Sequence, residues 1–274
     1  SATFRTVDVV GLDTTAHVIG TMRDTLPDDP WRPHFEVPAV LAALVAKGAL
    51  GQKAKAGFYR KQGREIQVLD PVAGDYRASA GVVDPEVAAI LAIAHPGEKL
   101  GKLRAHPHPQ AQFLWAIFRD VFHYCAHQLA AIADNARDVD LAIRWGFGWQ
   151  MGPFETWQAA GWRDVAAWVA EDIAAGKALA RVPLPAWVSG DKVAGARGVH
   201  APEGAYSPAR DAFAPRSTLP VYRRQLFPDP VLGERPASTG TTIFETDAVR
   251  MWHLGDDVGI VSFKSKANTI GEDV

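Results

Sequence analysis

The chain has 274 residues, with 29 Lys and Arg against 31 Asp and Glu, 47% apolar residues and 22% charged ones. That composition fits a globular protein of one large or two ordinary domains and excludes the disordered and collagenous classes. The formal charge of −2 gives no electrostatic reason to expect nucleic acid or an anionic membrane as a partner.

Residues 1–60 read as helical. Segments 4–10 and 12–22 are separated at Gly11, with Asp13 or Thr14 as the expected N-cap of the second. Residues 26–33 hold three prolines and must be a turn. Val37, Val40, Leu41, Leu44 and Val45 then follow the i, i+3, i+4, i+7, i+8 spacing of one helical face, stopped by Gly48 in the left-handed region. Residues 57–80 turn to short alternating runs broken by Gly and Pro, which predict a small hairpin. Helix returns over 85–94, with Asp84 as N-cap and Pro85 in the first position.

The longest predicted helix covers 110–133, with Leu114, Ile117, Phe118, Val121, Phe122, Cys125, Leu129 and Ile132 as its apolar stripe. Further helices are expected over 138–145, 153–160 and 162–174, the last with Trp168 on its apolar side. Residues 183–236 are rich in Pro and Gly and read as an extended covering segment or linker. Three β-rich runs, 241–245, 249–254 and 258–263, look like the opening of a β-containing domain. Cys125 stands alone and cannot make an internal disulfide, and no apolar run approaches the ~20 residues that cross a bilayer. No basic, apolar leader opens the chain, so a cytoplasmic protein is expected.

Self-comparison adds an internal repeat. Phe4, Thr6 and Gly11 align without a gap on Phe154, Thr156 and Gly161, and Gly57 and Tyr59 pair with Gly204 and Tyr206. The expected fold is mainly α: two related helical units about a pseudo-two-fold, with small β-hairpins and a short C-terminal β segment. The units are 1–80 and 81–210, followed by a linker over 211–240 and the start of a further domain over 241–274. The first unit begins almost on the shared motif and lacks roughly 45 residues that precede it in the second.

Residues 146–152 resemble a dinucleotide loop at a glance, but the spacing is GxGxxxG, a helix precedes it, and Trp149 sits where a pyrophosphate would approach. A helix-to-helix connection is the expected structure. His123 and His127 have a spacing that can chelate a metal. They fall opposite the apolar stripe beside Arg119 and Asp120, with Cys125 turned away, and read as solvated or interface histidines. His106-Pro107-His108-Pro109 reads as a stiff helix lead-in, and His17, His34, His95, His200 and His253 as isolated. Lys53 and Lys55, just before Gly57-Phe58-Tyr59, could serve a phosphate-bearing ligand but read as solvated lysines.

Residues 3–14, which end in Gly11-Leu12-Asp13-Thr14, together with Gly51-Gln52-Lys53-Ala54-Lys55-Ala56-Gly57-Phe58-Tyr59, resemble the C-terminal domain of 3-hydroxyacyl-CoA dehydrogenases. Met151-Gly152-Pro153-Phe154-Glu155 resembles a hallmark of the same family in a second copy of that domain. Residues 258–270 are similar to the first strand and turn of crotonase-type enoyl-CoA hydratases, which implies CoA contacts from Lys266 and Asn268. The resemblance implies a piece of a bifunctional β-oxidation enzyme that oxidises an L-3-hydroxyacyl-CoA. It implies NAD as hydride acceptor and a His–Glu pair as base, both on a Rossmann domain not present in these residues. The family's Asn falls outside the first unit and, aligned on Arg119, onto Phe118 in the second, which cannot hydrogen-bond. The chain alone is therefore expected to have no catalytic residue, no metal site, no bound NAD and no turnover. In the parent its partners would be acyl-CoA, the Rossmann and hydratase domains, and a second copy if the enzyme is a homo-oligomer. The alternatives are a stand-alone helical interaction module and a metal-binding protein using His123 and His127.

Overall fold

The computed structural model describes residues 3–79, 81–218, 229–234, 240–255, 257–265 and 269–272. Helices α1 (Thr3–Val10) and α2 (Leu12–Thr25) meet at Gly11, whose φ of 108° is open to glycine but strained for any other residue. That corner starts α2 at Leu12, so neither Asp13 nor Thr14 is the N-cap. Asp13 instead lies in the first turn and is clasped by Lys53 at 2.7 Å through both oxygens. Helix α3 (Ala39–Ala46) starts after Pro38 and ends before Gly48, which is left-handed as expected at φ 72°. Leu12, Leu41 and Leu44 form a small buried core beneath these helices, flanked by Phe58 and Leu69. The expected hairpin is a three-stranded antiparallel meander of β1 (Tyr59–Gln62), β2 (Glu65–Asp70) and β3 (Asp75–Ala78).

Helix α4 (Pro85–Leu91) is capped by Asp84, which accepts from the Glu86 and Val87 N–H groups. A further helix, α5 (Pro96–Ala105), was hidden in sequence by Gly97 and Gly101. Those glycines serve packing: a Cβ on Gly97 would collide with the Ala160 carbonyl, and one on Gly101 would press on the Trp168 ring. The long helix α6 (Pro109–Ile132) sets most of its expected stripe in the core, with Phe122, Cys125 and Leu129 buried and Leu114, Phe118 and Val121 packed against them, but it is buried on a second face as well. Ile117 and Ile132 are 41% and 61% exposed, whereas Trp115, Arg119 and His123 are buried. The face expected to be wet is covered from elsewhere in the chain. Trp31 packs edge-on against His123 and Tyr124 and tilted against His127, with ring centroids 4.7, 4.9 and 5.6 Å apart. Asp29 accepts from Tyr124 and Gln128 beside it, and His34 bonds the Leu179 carbonyl. These contacts dock residues 26–34 onto α6.

Helices α7 (Ala136–Phe147), α8 (Pro153–Ala159) and α9 (Trp162–Ala174) complete the larger core, where Phe122, Trp157 and Trp162 stack in series at 5.4 and 4.3 Å. The segment from 183 is not an extended cover. It contains α10 (Asp191–Ala196) and a second meander, β4 (His200–Ala201), β5 (Gly204–Ser207) and β6 (Ala212–Ala214). Every residue of β5 is buried. The prolines and glycines here supply the turns of a packed sheet, and the stretch assigned to a linker from 211 holds β6 and the buried Asp229. Strands β7 (Thr241–Glu245), β8 (Val249–His253) and β9 (Ile260–Phe263) form a third antiparallel meander, close to the expected runs. Among the described residues no helix is long and apolar enough to cross a membrane.

One order of elements, helix, positive-φ glycine, helix, helix, meander, occurs over 3–78 and again over 153–214. Gly161, at φ 99°, mirrors Gly11. Asp8, three residues before Gly11, accepts from the Phe58 and Tyr59 N–H groups. Gln158, three before Gly161, accepts from His200 N–H and donates to the His200 carbonyl. A Cβ on Gly57 would strike Asp8, and one on Gly198 would strike Gln158.

Candidate functional site

Two polar assemblies emerge, one sealed and one open. The sealed one surrounds the 151–155 turn. Asp140 on α7 is fully buried and accepts from the N–H groups of Phe154 (2.8 Å) and Glu155 (3.1 Å) at the start of α8. Its Oδ2 also meets His200 Nε2 at 2.7 Å. Glu155 folds back to accept from Gly152 N–H at 2.7 Å and pairs with Arg144 at 3.1 Å. Asp229 approaches the far side of the His200 ring at 3.5 Å and lies within 3.7 Å of Arg137 and Arg216.

A buried His–Asp pair invites a catalytic reading, but His200 and Asp140 are 1% and 0% exposed, so no substrate reaches them in this conformation. The groups around Asp140 are all donors and match a carboxylate. Burial pushes its carboxyl up, and His200 and the two backbone N–H groups pull it back. Burial disfavours a charged His200, yet the Asp140 hydrogen bond and the nearby carboxylates outweigh it and hold the imidazole above its ordinary value. The assembly pins α7, α8 and β4 together.

His123 and His127 are both drawn into packing contacts. The His123 Nε2–H donates to the Val182 carbonyl at 2.8 Å, burial lowers its pKa and keeps it neutral, and the His127 ring faces Trp31. Among the described residues no three His, Cys, Asp or Glu side chains gather as a metal site. Cys125 is buried in the core and its thiol is pushed up to about 12, so it is no nucleophile. Lys266 and Asn268, the expected CoA contacts, lie outside the described residues.

The open assembly is a cleft of about 500 Å³ between α1 and β1, lined by Arg5, Asp8, Lys55, Tyr59, Arg60, Lys61 and Ile66 among others. Lys55 occupies a left-handed turn at φ 60°. Arg5 lies over the Tyr59 ring, 5.2 Å from its centroid, and Arg60 over Tyr76 at 4.2 Å, its guanidinium also bonded to Gln67. Of this set, the sequence pointed only to Lys55; its neighbour Lys53 is closed onto Asp13. Arg60 and Lys61 directly follow the Phe58-Tyr59 turn, which was the available signal. Arg5 joins them only because Asp8, one turn further along α1, binds that turn.

Comparison with known proteins places these features in context. Residues 1–61 match the model of a family described as 3-hydroxyacyl-CoA dehydrogenase, C-terminal domain. A "Probable 3-hydroxyacyl-CoA dehydrogenase" of Bacillus subtilis is 32% identical over 274 residues, all of this chain and 33% of that protein. One of the same description from Deinococcus radiodurans is 43% identical over 61 residues, 22% of this chain and 17% of its own length. A provisionally named fatty acid oxidation complex trifunctional enzyme of Rickettsia felis is 23% identical over 169 residues, 59% of this chain and 22% of its own. The chain thus spans about a third of the Bacillus relative and less of the others. No solved structure matches.

Proposed function

We propose that these residues are the C-terminal-domain region of an NAD-dependent L-3-hydroxyacyl-CoA dehydrogenase of fatty-acid oxidation, and that hydride transfer belongs to a nucleotide-binding domain elsewhere in a longer protein. The observation that carries this reading is the similarity to the Bacillus protein along all 274 residues, with the family match falling on 1–61. The site geometry agrees with the division of labour. The 146–152 stretch does not fit a dinucleotide: α7 leads into it rather than a strand, and the space a pyrophosphate loop keeps open at Gly152 is filled by Asp140. No hydride step is therefore derived from this chain.

In this reading residues 3–78 and the helices from α4 to β6 are two related units, and the second stands in for a partner subunit. The shared element order, the Gly11 and Gly161 corners, and the Asp8 and Gln158 clamps support it. What the units supply is a wall for the acyl chain and a fixed mount for the catalytic domain. Strands β7–β9 would open a fused enoyl-CoA hydratase domain, as their three-stranded form allows.

The test is NADH formation from an L-3-hydroxyacyl-CoA and NAD. The full-length gene product should show it and the 274-residue chain alone should not. A full-length product inert toward L-3-hydroxyacyl-CoAs of every chain length would overturn the reading. Turnover by the isolated chain would overturn its assignment as a non-catalytic region.

A further inference from the structure

The cleft between α1 and β1 carries four cations, Arg5, Lys55, Arg60 and Lys61, against one carboxylate, Asp8. Both Asp8 oxygens are already engaged, each 2.8 Å from a backbone N–H of the Phe58-Tyr59 turn. Lys53 nearby is closed onto Asp13 by two 2.7 Å contacts, which shows how a lysine of this region looks when it is neutralised. Arg5, Lys55 and Lys61 have no such carboxylate among the described residues. Arg60 is held by the neutral amide of Gln67, which orients it without cancelling its charge.

Folding does not account for the gathering. Arg5, Lys55 and Lys61 are exposed and contribute nothing to the Leu12–Leu41–Leu44 core, and like charges brought together repel. Yet they are not left to drift. The Tyr59 face seats Arg5, the Tyr76 face seats Arg60, and the left-handed turn fixes the backbone of Lys55. Exposed Ile66 and the Tyr59 ring give the same cleft an apolar side. Its volume of about 500 Å³ lies in the range of small-molecule sites. Cations aimed at one space beside an aromatic ring match a ligand with several phosphate oxygens and a flat base.

We infer that this cleft holds the phosphate groups of a nucleotide. The inference rests on the reading above, whose reaction involves two such molecules: the acyl-CoA, with its pyrophosphate and 3′-phosphate, and NAD, with its pyrophosphate. The two sources share one chemistry at the cleft and separate in the test.

The 274-residue chain is titrated calorimetrically with CoA, with NAD and with inorganic phosphate, as wild type and as the Lys55→Gln/Lys61→Gln double variant. A nucleotide should bind saturably, more weakly at higher salt, and about tenfold or more weakly to the double variant. The melting curve should not move, because both lysines are exposed. Binding of CoA but not NAD assigns the cleft to the substrate's nucleotide end, and the reverse assigns it to the dinucleotide. Binding of inorganic phosphate alone, no nucleotide binding, or a nucleotide affinity unchanged in the double variant overturns the inference. Any of those results leaves the dehydrogenase reading to the separate NADH assay on the full-length product, so the two can fail independently.

Discussion

Of the three glycines in the 146–152 stretch, two are required, each for its own reason, and single alanine substitutions separate all three. Gly146 lies inside α7, where an added Cβ meets nothing within 4 Å. Gly148 ends that helix at φ 68°, a conformation costing a non-glycine residue about 1–2 kcal/mol. Gly152 has an ordinary backbone, φ −74° and ψ 179°, but its Cβ would overlap the Cα, Cβ and Oδ1 of Asp140. Asp140 cannot step aside, since Phe154 N–H, Glu155 N–H and His200 Nε2 fix both its oxygens. Gly152→Ala must therefore push α7 from α8. Overpacking costs about 1–3 kcal/mol, and weakening a hydrogen bond to a charged group adds about 1.5–3 kcal/mol. A total near 4 kcal/mol lowers the melting temperature by roughly 10 °C in a domain of this size. Near-UV circular dichroism of the stacked Trp157 and Trp162 pair reports the loss directly. Gly146→Ala should be neutral or stabilising by up to about 1 kcal/mol. The steric argument is refuted if Gly152→Ala melts within about 2 °C of wild type or together with Gly146→Ala.

Stability should fall as pH rises. His200 is held above its ordinary value of 6.5, so its contribution is complete below that value and is lost as pH climbs through the folded one. Asp140 and Glu155, raised chiefly by burial, act with the same sign. Melting temperatures recorded from about pH 6 to 9 should decline, and His200→Gln should flatten the decline; a level wild-type profile contradicts the assignment. Trp31→Ala should cost about 3–5 kcal/mol and raise hydrogen exchange in α2 and α3 well before α8 and α9. Uniform exchange across both would show that the indole does not join them. Cys125 should resist a thiol reagent in the native protein and react only on unfolding, given its burial and its thiol near 12. Immediate stoichiometric labelling would contradict that.

The starts of α4 and α8 are legible in the sequence because each opens with a proline at its first position, which is local chemistry. The limits of α9 are equally plain from its apolar period. Helix α5 is not legible, because Gly97 and Gly101 look like breakers until Ala160 and Trp168 are seen beside them. The stripe on α6 is largely right but incomplete for a related reason: periodicity assumes one wet face, and Trp31 arrives from far along the chain to cover it. His200 reads as isolated because Asp140 and Asp229 meet it only after folding. In the cleft, Lys55 is visible beside its turn, whereas Arg5 is brought there by the bond from Asp8 to Phe58 and Tyr59. Sequence shows elements well where the cause is a neighbour, and poorly where it is a long-range contact.

The seating of Trp31 on His123, Tyr124 and His127 also orders events in time. A ribosome makes that tryptophan some 90 residues before its receptor, which at typical elongation speeds is a delay of about 5–20 s. Before α6 is made, the neighbouring helices already have the Leu12, Leu41 and Leu44 cluster to settle around. Until α6 is complete, the Trp31 indole lacks the His123, Tyr124 and His127 surface that buries it.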